Sequence, residues 1–137
     1  MDVKPPKDPL FIYADNLVRD GKWLTPTVTI EHVHLKGTVQ GADKRLVDKP
    51  CVKFKGSDKM LVLNATNESL LRLQFGSSDY KQWEGQKIVL EPRMIAEAFG
   101  ERDVPVIRVL LPDDIPVPFR LRKHIGKRLT GNVTKEN

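Results

Sequence analysis

The sequence predicts a mostly β domain: a five-stranded barrel with one helix between its third and fourth strands, then a basic tail that is extended or helical. Three observations lead there. Short apolar runs with the two-residue period of a strand recur between residues 27 and 111. One segment, 64–76, changes to helical spacing. Prolines cluster outside this body: Pro5, Pro6 and Pro9 before it, Pro112, Pro116 and Pro118 after it. Proline lacks an amide donor and resists both helix and central strand, so these stretches read as connectors. The expected organisation is an extended segment over 1–22, the barrel over 23–111, and a proline-rich linker with a basic tail over 112–137.

The first strand spans Thr27 to Leu35. Val28 and Ile30 point to one face, whereas Val33 and Leu35 continue on the opposite parity. One face stays buried through that switch only if an extra residue is inserted, which predicts a β-bulge near Glu31-His32. A long strand bent in its middle is what closing a small barrel demands. The second strand covers Pro50 to Lys55, with Val52 and Phe54 on one face and Cys51, Lys53 and Lys55 on the other. Met60 to Leu63 forms a short apolar third strand.

In the helical segment, Asn64, Thr66 and Asn67 are capable N-caps, because a short side-chain acceptor can bond the free amides of a first turn. Leu70, Leu71, Leu73 and Phe75 come next at helical spacing, and Gly76 suits a left-handed C-terminal cap. Lys87 to Arg93 reads as the fourth strand, and Met94 to Gly100 fits either its continuation or a short helical loop. Val104 to Leu111 is the last strand, with Pro105 near its start, where no ladder bond is lost. Five strands with a helix in that place are the layout of the OB-fold, which commonly binds oligonucleotides.

Charge is distributed unevenly. From Ile115 to Asn137 six basic residues face one acid, so the whole formal excess of +5 lies there, and residues 1–114 balance at 17 of each sign. Such asymmetry points to a polyanionic partner, or to a solvated tail. No apolar stretch approaches the roughly 18–20 residues that span a bilayer, and no secretory leader is evident, so a cytoplasmic protein is expected. The single cysteine, Cys51, argues against a disulfide framework and most zinc modules, and no cofactor is expected.

Leu63-Asn64-Ala65-Thr66-Asn67, Leu71, Phe75-Gly76, Trp83-x-Gly85-x-Lys87, Leu90-x-Pro92 and Val106-Ile107-Arg108-Val109 together resemble a family of small phage and prophage proteins. The similarity covers about Leu24 to Leu111. It implies an OB-fold and a setting among replication or recombination genes, in the bacterial host cytoplasm if the chain is phage-encoded.

A protein that holds unpaired strands without sequence preference needs cations along the phosphate track and aromatic faces for bases. Lys53, Lys55, Arg93 and Arg108 on the strands, and Arg120, Arg122, Lys123, Lys127 and Arg128 in the tail, are the candidate cations. Trp23, Tyr80 and Trp83 are the candidate stacking residues, with core packing as the alternative for each tryptophan. Phe119, Leu121, Ile125 and Leu129 interleave with the tail cations, and the last three, four apart, suggest an amphipathic helix. Enzyme motifs fail: Gly126 and Gly131 have the spacing of a phosphate loop, but Asn132-Val133 stand where its Lys-Ser/Thr belongs. The expected function is therefore non-enzymatic binding of single-stranded nucleic acid, DNA in the first instance. The alternative is an adaptor that docks a phage replication, recombination or assembly protein; no membrane partner is expected.

Overall fold

The computed structural model describes residues 11–35, 49–96 and 103–133. Its elements in chain order are a 3-10 turn (Ala14–Leu17), β1 (Val18–Arg19), β2 (Lys22–Trp23), β3 (Thr27–His34), β4 (Cys51–Phe54), β5 (Met60–Val62) and α1 (Ala65–Phe75). A second 3-10 turn (Tyr80–Trp83), β6 (Lys87–Ala96), β7 (Asp103–Leu110), α2 (Phe119–Ile125) and β8 (Lys127–Arg128) complete the chain. The main sheet has six strands in the order β5-β4-β3-β6-β7, with β8 added to β6, and every pairing is antiparallel.

The expected strands and helix are all present, and the bulge lies where the parity switch requires it. Ile30 pairs with Phe54 and His32 with the adjacent Lys53, so Glu31 is the inserted residue. Ile30 and Val33 consequently both face the core. Leu35, expected to continue that buried face, is 60% exposed, because β3 ends at His34. The sheet does not close into the expected barrel: among the described residues β5 and β7 end the strand order without pairing to each other.

The 63–67 motif is explained by two asparagines. Asn64 caps α1, its Oδ1 accepting from the Asn67 N–H at 2.9 Å. Asn67, 1% exposed, acts as a surrogate strand for the outer edge of β7: its Nδ2 donates to Ile107 O at 2.9 Å, and its Oδ1 accepts from the Val109 N–H at 3.0 Å. A buried backbone edge would otherwise carry unpaired groups, and one amide satisfies a donor and an acceptor together. Gly76 closes the helix at φ 63°, as a left-handed cap.

Two boundaries differ from expectation. Phe11, Ala14 and Leu17, within the expected N-terminal extension, are buried, and Asp20-Gly21 turns the β1–β2 hairpin with both residues at positive φ. At the other end, residues 119–133 return to the body rather than forming a separate tail. Leu121 and Ile125 are buried in the main core cluster, β8 pairs with β6, and Trp23 N–H and Val133 N–H bond to Gly131 O and Gly21 O across the hairpin. The prolines from 112 to 118 do form a connector without regular structure, but the segment beyond them, from α2 onward, is anchored to the sheet. No helix among the described residues is long and apolar enough to cross a membrane.

Candidate nucleic-acid interface

Side chains alternate across a strand, so Ile88 and Leu90 face the core, together with Ile107 and Val109 of β7, while Glu91 and Arg93 occupy the other face of β6. Arg108 stands opposite Glu91 in the β6–β7 register, and Arg128 opposite Arg93 in the β6–β8 register. Four charged residues thus meet on one patch of sheet. Glu91, 3% exposed, accepts from Arg93 Nε on Oε1, and Arg128 Nε approaches its Oε2 at 3.7 Å.

The C-terminal end of α2 is bound to this patch by arginines. Arg108 Nη2 and Nε donate to His124 O at 3.0 and 3.3 Å, and Arg93 Nη1 donates to Gly126 O at 3.0 Å. The terminal carbonyls of a helix lack partners of their own and carry partial negative charge, so guanidinium donors suit them. Close approach also explains Gly126, at φ 96°: a Cβ there would meet Ile95 Cγ2 at 2.5 Å and Met94 O at 2.6 Å.

Several expected site residues are therefore structural. Arg108 is 4% exposed and committed to carbonyls, so it cannot lie on an open phosphate track; burial, and then the neighbouring charge of Arg93, push its pKa down. Arg93 is held between Glu91 and Gly126. Trp83 is fully buried, with Nε1 donating to Ser77 O at 3.0 Å and its ring against Tyr80 and Phe75. It cannot stack on bases. Trp23 is half-buried against the core.

The second strand face is mixed in sign. Lys53 Nζ pairs with Glu31 at 2.7 Å, and His32 Nδ1 with Glu84 at 3.1 Å, leaving Lys55 exposed beside them. Lys53 also holds the Glu31 carboxyl below its ordinary range. Lys53 pairs with His32, beyond the part of β3 that meets β6. Lys55, bonded to Thr29 O through its N–H, lies near the Lys87 end of β6 and away from Arg93, so these lysines do not join Arg93 and Arg108 in one track. Among the described residues no group of three His, Cys, Asp or Glu is placed to hold a metal ion.

The α2–β8 surface is different. Residues 115–133 contain five Lys and Arg and no Asp or Glu. Arg120, Arg122, Lys123, Lys127 and Arg128 are all exposed, with His124 among them. The most exposed large apolar side chain among the described residues, Phe119 at 86%, begins this helix. The sequence pattern places Phe119 among the apolar residues of an amphipathic tail; exposure singles it out as the available aromatic face. Its spacing carries the signal, since Leu121 and Ile125 share a helical face from which position 119 is displaced.

Comparison with protein-family models, curated proteins and solved structures found no match to this chain.

Proposed function

We propose that this protein binds single-stranded nucleic acid, of the kind handled in phage replication and recombination, through the α2–β8 surface. The observation that carries the reading is a docked helix and strand bearing five exposed cations, no acid and an exposed phenylalanine. Cations that replace condensed counterions supply sequence-independent affinity, and an aromatic ring supplies a stacking face. Buried Arg108 acts one layer below, fixing the cationic segment to the sheet instead of touching phosphate. A fixed surface loses less conformational entropy on binding than a free arm would.

The strand order, with α1 between β5 and β6, supports a barrel of the OB type left open at one seam. Across that seam β5 and β7 line a cavity of about 390 Å³ that Phe11 to Asp15 also line, and Phe11 pairs in parallel with Met60.

Binding of labelled single-stranded DNA, duplex DNA and single-stranded RNA, compared by anisotropy, tests the proposal. Wild type should favour the unpaired strands, and Phe119→Ala should weaken them by the 1–3 kcal/mol of one stacked base, without changing stability. No binding to any oligonucleotide in dilute buffer, with retention on an acidic peptide instead, would replace this reading with the adaptor.

A further inference from the structure

We infer that the concavity between β6 and α2 is a phosphomonoester pocket that receives the terminal phosphate of a bound strand. It has a volume of about 420 Å³ and is lined by Arg93, Pro116, Val117, Arg122, Ile125 and Gly126. No acid lines it. The inference rests on the strand-binding reading for the source of the phosphate, though not for the chemistry of the pocket.

Three features support it. First, among the described residues the adjoining cluster is short of negative charge: Arg93, Arg108 and Arg128 lie around one carboxylate, Glu91, both of whose oxygens already face arginines. Buried cations without counter-charge are costly, so the cluster favours an anion close by. Second, the two lining arginines are oriented in advance. Arg122 Nε donates to Val117 O at 3.2 Å, while Arg93 is anchored through Nε to Glu91 and through Nη1 to Gly126 O. Among the described residues these anchors leave both terminal nitrogens of Arg122 and Nη2 of Arg93 uncommitted. Guanidinium forks of this kind match phosphate oxygens.

Third, the ligand's charge must fit. A phosphomonoester carries about −1.5 to −2 at pH 7 and presents three acceptor oxygens, whereas an internal diester carries a single charge. The uncommitted guanidinium nitrogens of Arg93 and Arg122 suit the several acceptor oxygens of a monoester. Pro116, Val117 and Ile125 supply apolar wall for the attached sugar and base, and the volume falls in the ordinary range of small-ligand sites.

The test uses the full chain and two probes. In thermal denaturation at constant ionic strength, inorganic phosphate should raise the melting temperature saturably over chloride, and Arg122→Gln should abolish the shift. In anisotropy, an oligonucleotide with a terminal phosphate at either end should bind roughly tenfold more tightly than its hydroxyl-ended counterpart, the scale of one hydrogen bond to a charged group. That advantage should disappear in Arg122→Gln. Arg122 is exposed, so the variant should fold; an unchanged far-ultraviolet spectrum and chloride melting temperature check this. Equal binding of phosphate-ended and hydroxyl-ended strands, with no phosphate-dependent stabilisation, overturns the pocket while leaving strand binding intact. Phosphate stabilisation sensitive to Arg122, with no binding of any strand, overturns the strand as source and keeps the pocket as a site for small phosphomonoesters.

Discussion

Glu91→Gln is the substitution whose effect derives most directly from the patch beneath α2. Glutamine keeps the shape and removes only the charge, leaving Arg93 and Arg108 on a buried sheet face with no acid among the residues described around them. Removing one partner of a buried ion pair costs about 3–5 kcal/mol. Arg93 keeps 17% of its side-chain exposure, which puts the expectation toward the lower end of that range. Arg128, 57% exposed and 3.7 Å away, adds no more than about 0–1 kcal/mol because solvent screens it. The expected loss is therefore about 3–4 kcal/mol. For a domain of this length that lowers the melting temperature by roughly 10–14 °C. Urea denaturation with an unchanged slope measures it, and hydrogen exchange should show the Leu129 amide, bonded to Pro92 O, opening early. As a control, Arg128→Gln should cost less than about 1 kcal/mol. A loss below about 1 kcal/mol for Glu91→Gln would refute the claim that this carboxylate holds Arg93, which binds the end of α2.

Other outcomes can be checked on the same protein. Asn67→Ala strands Ile107 O and the Val109 N–H, at about 1–3 kcal/mol each, whereas Asn64→Ala removes one helix cap and costs about 1 kcal/mol; equal losses in urea melts would contradict the edge-pairing role of Asn67. Burial pushes the Cys51 thiol up to about 11, so an aromatic disulfide reagent at pH 8 should label the native protein only as fast as it opens, and rapid labelling would show that the β4–β5 end is not closed. His34 has its pKa lowered from 6.5, first by burial and then by His32 and Lys53. Its neutral form is therefore favoured on folding: the contribution is full above about pH 6.5 and is lost as pH falls through the depressed folded value. Stability measured from pH 7.5 downward should decline less in His34→Gln than in wild type, and parallel curves would refute the assignment.

Much of the body was legible because its signals are local. A parity switch at Glu31-His32 has one economical solution, a bulge; Asn64 and Gly76 bracket a helix by capping chemistry alone. The ends were illegible for the opposite reason. Phe11, Ala14 and Leu17, like Leu121 and Ile125, are isolated apolar residues whose burial depends on surfaces distant in the chain. The sequence also cannot distinguish an arginine aimed at solvent from one aimed at a helix end. Arg108 and Arg120 look alike as letters, yet one binds His124 O and the other faces water. Trp83 is open to either role in sequence, and only the ring contacts with Tyr80 and Phe75 place it inside. Closing the sheet would need pairing between β5 and β7, which is absent among the described residues and for which no sequence signal exists.

Because Leu121 and Ile125 belong to the core, deleting the C-terminal segment would damage the fold, and exposed cations should be neutralised instead. The most direct measurement is the salt dependence of single-stranded DNA binding by wild type and by the triple variant Arg120→Gln, Lys123→Gln, Lys127→Gln. Each phosphate contact on a single strand contributes about 0.7 to the logarithmic slope. If α2 and β8 form the binding surface, the variant's slope should be shallower by about 2 and its affinity weaker; identical slopes and affinities would contradict that surface.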